Sequence, residues 1–169
     1  MRIRLTIALA GLAALPVQAA DIELKLQIPQ INVAEYHRPY VAVWVEGADQ
    51  TALANLAVWY QQKTTREGAG TKWLPDLRQW WRRSGRSLAL PVDGVTGPTR
   101  PVGTHSLRFD DRNPQLAKLP AGNYTLVVEA VREVGGRELV KVPFNWRGTG
   151  TGSAKGKTEL GAVTVATRR

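Results

Sequence analysis

The 169-residue chain carries 23 Lys and Arg against 14 Asp and Glu, a formal net charge of +9, with 43% hydrophobic residues, 16 Gly, 10 Pro, 6 Trp and no Cys. Its length suits one compact domain that buries about two-thirds of the unfolded surface, and is short for a TIM barrel or a two-domain dinucleotide enzyme. The lack of Cys excludes disulfides, thiolate metal sites, iron–sulfur clusters and cysteine nucleophiles, and leaves His37 and His105 as the only imidazoles.

Residues 1–20 read as a secretory signal peptide. Arg2 and Arg4 form the positive start, Leu5 opens an apolar run of eleven residues ending at Leu15, and Pro16-Val17-Gln18-Ala19-Ala20 offers small residues for cleavage after Ala19 or Ala20. Eleven residues fall short of the roughly 20 that a helix needs to span a bilayer, and no later segment is long enough. No Cys stands at the cleavage point to carry a lipid anchor. Removing Arg2 and Arg4 lowers the formal charge from +9 to +7 and leaves an exported domain over 21–169. A basic exported domain suits anionic partners, with nucleic acid a poor fit for that compartment.

The mature chain opens with Asp21–Ile28, where Ile22, Leu24, Leu26 and Ile28 alternate with polar residues, the period of a half-buried strand. Tyr40–Glu46 is a second strand, apolar on both faces, so it lies centrally or beneath a covering element. Gly47-Ala48-Asp49-Gln50 makes the turn into a third strand over 56–60, in which Trp59 points away from Val58 and Tyr60. Residues 61–70 read as a loop. The spacing of Trp73, Leu77, Trp80 and Trp81 predicts one helix over 73–83, starting near Leu74 because Pro75 is tolerated only in the first turn. Ser84-Gly85 closes it, with Arg82 and Arg83 in the last turn. Residues 87–99 hold one short strand and a long turn. Strands follow over 105–110, 123–131 and 138–144, the last two forming a hairpin through Val134-Gly135-Gly136. Pro143 cannot donate to a ladder, so its strand is an edge or ends there. The Gly/Thr/Ser-rich stretch 147–156 reads as a mobile loop before a closing strand over 158–166. Short strands with turns at roughly ten-residue spacing predict an all-β fold, an antiparallel β-sandwich of seven or eight strands with one short inserted helix.

Motifs for chemistry are few. Gly156-Lys157-Thr158 lacks the glycine that a phosphate loop requires five positions earlier, where Thr151 stands, and a strand-like run follows it. His105 shares a strand face with Leu107 and Phe109, the setting of a packing histidine. Asp110, Asp111 and Asn113 lack the spacing and terminal Glu of a calcium loop. Ser106 points away from His105, and Glu129 and Glu133 read as solvated or ion-paired carboxylates. The sequence therefore assigns no catalytic residue, metal ligand or cofactor. The helix is the remaining candidate site: Trp73, Leu77 and Trp81 packed inward, with Trp80 accessible and ringed by Arg78, Arg82 and Arg83, would hold a flat anionic ligand or an acidic partner. Trp44, Trp59, Trp73 and Trp81 are expected to serve structure.

Leu119-Pro120-Ala121-Gly122-Asn123-Tyr124 resembles the strand entry of bacterial Ig-like and fibronectin-like modules, including the C-terminal sandwich of the flagellar hook-capping protein. A tight turn at Gly122 precedes a tyrosine, Tyr124, whose hydroxyl ties back to the backbone. Together with His37-Arg38-Pro39-Tyr40, Lys72-Trp73-Leu74-Pro75 and Asp93-Gly94-Val95-Thr96-Gly97, the set resembles the bacterial periplasmic family called domain of unknown function 2271. That family tends to carry a Trp-Asp-Gly turn where this chain has Phe109-Asp110-Asp111, so the turn glycine is missing. The resemblance implies a periplasmic Ig-like module, often encoded beside PepSY-type membrane proteins and FMN transferases, serving redox or iron-acquisition systems. It implies an envelope or inner-membrane protein partner and supplies no catalytic residues. The expected function is therefore a non-catalytic accessory or binding module. A small enzyme or flavin-handling factor, and a polysaccharide-binding or adhesion sandwich, are the alternatives.

Overall fold

The computed structural model describes residues 19–169, so the signal-peptide segment lies outside it except for Ala19 and Ala20. Among the described residues, nine strands form two sheets. The first, in the order β5-β1-β9-β8, contains β1 (Asp21–Ile28), β5 (Gly103–Asp110), β8 (Gly150–Lys155) and β9 (Ala162–Arg168). The second, in the order β4-β3-β2-β6-β7, contains β2 (Tyr40–Glu46), β3 (Ala52–Trp59), β4 (Thr96–Gly97), β6 (Gly122–Val131) and β7 (Arg137–Trp146). All pairings are antiparallel except the two-residue β4, which runs parallel to β3. The all-β sandwich expected from the strand spacing is the observed fold.

The period-two pattern of β1 does what such a pattern does: Ile22, Leu24, Leu26 and Ile28 are buried between the sheets. There they meet Val41, Val43 and Val45 of β2, Leu126 and Val128 of β6, and Trp146 of β7. The central position of β2, between β3 and β6, explains half of its two-sided apolarity. Its other face, with Ala42 and Trp44, packs with Val58, Tyr60 and Val127 into a second core on the outer side of the five-stranded sheet. Leu74, Leu77, Trp80 and Val95 cover that core. The fold thus has a third, partial layer, and β2 is both central and covered.

This covering segment departs from the expected single helix. A 3-10 helix, Gly70–Asp76, contains Pro75 and ends at Leu77, whose ψ of 67° breaks the helical path. The α-helix α1 is only Arg78–Arg83. In a 3-10 turn, residues three apart eclipse each other. The inward stripe is therefore Leu74, Leu77 and Trp80, not the 3.6-period set. Trp80 is 0% exposed and Trp73 is 42% exposed, which reverses the expected roles of the two indoles. Gly85 permits this packing, since a Cβ there would stand 2.6 Å from the Trp80 ring.

The stretch read as a mobile loop contains β8, which pairs with β9 from Gly150↔Thr167 to Lys155↔Ala162. Its glycines serve close approach. A Cβ on Gly152 would lie 2.5 Å from the Pro143 carbonyl oxygen, so β8 of one sheet lies directly against edge strand β7 of the other.

Candidate functional site

A trough runs along the outer side of the five-stranded sheet, between the 3-10/α1 segment and the end of the β6–β7 hairpin. Its largest part is a cavity of about 520 Å³ bounded by His37 and Tyr40 near the start of β2, Trp73 of the 3-10 helix, and Arg132 and Gly135 of the hairpin turn. Asp76, Val131 and Gly135 also border a depression of about 260 Å³, to which Arg78 and Arg137 contribute. Beyond it lies a third depression of about 340 Å³, walled by Pro75, Trp81, Arg82 and the same two arginines.

The basic end is held in place by Glu129, one of the carboxylates expected to be solvated or ion-paired, and here ion-paired. Glu129 projects from β6 and is completely buried. Its Oε1 accepts the Gln79 backbone N–H at 3.0 Å and its Oε2 accepts that of Trp80 at 2.7 Å. Helix α1 has no side-chain cap of its own, so a carboxylate from the sheet satisfies its free N–H groups and sits at the positive end of its dipole. Arg137 Nε donates to Glu129 Oε1 at 2.6 Å, which pairs the buried charge and sets Arg137 beside α1. Glu46, also buried, accepts from Trp44 Nε1 at 3.1 Å and Lys141 Nζ at 2.9 Å.

The four proposed binding residues separate. Arg78 and Arg82 are exposed and line the trough with half-buried Trp81. Trp80 is not an accessible platform: its indole N–H donates to Asn55 Oδ1 at 2.8 Å beneath the segment. Arg83 turns the other way, donating to Gln50 through Nη1 and Nη2 and lying 3.8 Å from Glu46. Arg137 was missed because its place beside α1 depends on contacts between distant parts of the chain.

The structural residues fall as follows. Tyr124 donates its hydroxyl to the Pro120 carbonyl at 3.0 Å, closing the expected corner. Gly122 begins β6 opposite Trp146, where its ordinary φ places no demand for glycine. Trp44 is in the outer core and Trp59 in the inner one, edge-on to His105 at 5.7 Å. His105 Nε2 also contacts the Pro101 carbonyl oxygen at 2.8 Å. His37 lies between Glu35 at 2.8 Å and Glu133 at 3.4 Å. Among the described residues, no group of three His, Cys, Asp or Glu side chains is placed to hold a metal ion.

The hairpin turn carries a second buried pair. Arg132 Nε and Nη2 donate to Glu159 Oε2 and Oε1 at 2.9 and 3.1 Å, and Glu159 also accepts the Gly136 N–H at 2.8 Å. A Cβ on Gly135 would lie 2.5 Å from the Arg132 guanidinium carbon, and one on Gly136 would lie 2.9 Å from Glu159 Oε1. A side chain at either position would have to displace the Arg132–Glu159 pair. The left-handed residue of the turn is Val134, at φ 51°.

A two-sheet sandwich with one outer face covered by a short helical segment, and a trough along that segment's edge, defines the class. The chain belongs to the DUF2271 family, described as predicted periplasmic proteins, whose model matches residues 21–162. No curated protein and no solved structure matches the chain. Among the described residues, no helix is long and apolar enough to cross a membrane.

Proposed function

We propose that this protein is a non-catalytic periplasmic accessory module that docks an acidic segment of an envelope or inner-membrane protein along the basic end of its trough. The observation that carries this is the row of Arg78, Arg82 and Arg137 around half-buried Trp81, fixed by Glu129 at the root of α1. Arginine forks match carboxylates bidentately, and an indole beside them supplies apolar contact. Support for a non-catalytic role comes from the two histidines, both engaged in pairing or packing contacts. The Ig-like relationship is part of the same proposal and draws on the Tyr124 corner. So is service to a redox or iron-acquisition system that includes PepSY-type membrane proteins and FMN transferases, which draws on the family resemblance.

Export with cleavage after Ala19 completes the proposal. Ala20 is packed in the inter-sheet core and its carbonyl accepts the Asp111 N–H at 3.0 Å, so cleavage one residue later would remove a core contact. Docking is tested by affinity capture from envelope extract. The Arg78→Glu, Arg82→Glu double variant should lose the captured partner while melting as the wild type does, whereas Lys118→Glu, exposed elsewhere, should retain it. Equal capture by the double variant refutes the docking surface.

A further inference from the structure

The cavity at the other end of the trough contains an interaction that docking does not use. Arg132 is 5% exposed in its side chain. Two of its nitrogens are taken up by Glu159, its guanidinium lies 5.8 Å from the centre of the Tyr36 ring, and Gly135 packs against it. Its third nitrogen, Nη1, is buried and has no hydrogen-bond partner among the described residues. Buried donors on charged groups are ordinarily satisfied, and an exception marks a place where an acceptor is absent. Arg132 also forms part of the wall of the cavity of about 520 Å³, a volume in the range of small-molecule sites. Tyr40 and the 42% exposed Trp73 supply aromatic surface to the same cavity. At its rim stands Val134, a β-branched residue in the left-handed region and 80% exposed. Such backbone strain concentrates at ligand clamps.

We propose that this cavity binds a small aromatic carboxylate. Its carboxylate accepts from Arg132 Nη1, and its ring lies against Trp73 and Tyr40. Three acids also border the cavity and oppose an anion. Glu67 and Asp76 are exposed, so water and salt screen them, while Glu133 is engaged by His37 at 3.4 Å. Glu159 neutralises the buried guanidinium, so Arg132 offers a carboxylate its unpaired Nη1 N–H, and Arg38 in the same wall supplies a cation.

Calorimetric titration of the mature protein with phenylacetate, neutral phenylacetamide and cationic 2-phenylethylamine tests this. Phenylacetate should saturate one site, with the amide weaker by about tenfold or more and the amine weaker still, as loss of one charge-assisted hydrogen bond requires. Trp73→Ala, a change at an exposed side chain, should weaken phenylacetate by about tenfold while leaving the circular dichroism unchanged. The Arg132→Met, Glu159→Met pair removes both buried charges together and should abolish the preference for the acid over the amide. Equal binding of all three compounds, preference for the amine, or no saturation by phenylacetate at about 10 mM overturns the proposal.

Discussion

Replacing Glu129 by Gln keeps the size of the side chain and removes the charge that ties α1 to the sheet. Glutamine retains one acceptor oxygen, but its amide nitrogen then faces a donor, either a backbone N–H of α1 or the Arg137 guanidinium. A hydrogen bond to a charged group contributes about 1.5–3 kcal/mol, and breaking a fully buried ion pair costs about 3–5 kcal/mol. Arg137 is 37% exposed in its side chain and regains water when released, which moves the expectation toward the lower values. We expect Glu129→Gln to lose about 3 kcal/mol in urea unfolding, or about 6–12 °C in Tm for a domain of this size. The reciprocal change, Arg137→Gln, leaves a fully buried carboxylate without its counter-charge and should cost about 2–3 kcal/mol, although both backbone donors remain. Loss of stability in both variants is the sharper test. If Glu129→Gln lies within about 0.5 kcal/mol of wild type, the carboxylate does not hold the helix as argued.

Two further outcomes follow from local geometry. Burial acts to raise the Glu138 carboxyl, but the Lys157, Leu160 and Thr158 backbone N–H groups together hold it below the usual carboxylate value. A depressed folded value gives stability that is present above the unfolded value near 4.5 and is lost as pH falls through the folded one. The acid-side fall in stability should therefore be shallower in Glu138→Gln, and an unchanged slope between about pH 5 and pH 3 refutes this. Intact-mass measurement of the exported protein should give a chain beginning at Ala20; a chain beginning at Asp21 would show that the Ala20 core contact is dispensable.

The strand framework was legible because burial imposes a period of two on the chain. The two-faced pattern of Val41, Ala42, Val43 and Trp44 fitted a central place or a covering layer, and the strand has both. The helix was misread because 3.6-residue spacing was assumed for a segment whose first turns run at three, and that choice exchanged the positions of Trp73 and Trp80. Strand β8 escaped notice because Gly150 and Gly152 carry loop composition, whereas the close approach that Gly152 allows appears only once Pro143 is folded against it. The site residues were least legible. Glu129 bonds to residues 49 and 50 positions away, and Arg132 to one 27 away, separations that no local pattern reports. One signal was available: an acid within the apolar run Leu126-Val127-Val128-Glu129-Ala130-Val131, where a central strand would have to find it a partner.

The contact between Gly152 and Pro143 closes one flank of the molecule like a hinge, with β7 and β8 shielding each other's free rims. On the opposite flank, β4 is two residues long and β5 carries Arg108 among its outward side chains. A short rim and a charged one discourage a second copy from adding itself strand to strand. Strand addition is thus disfavoured at both flanks, and the helical side is left as the face for encounters.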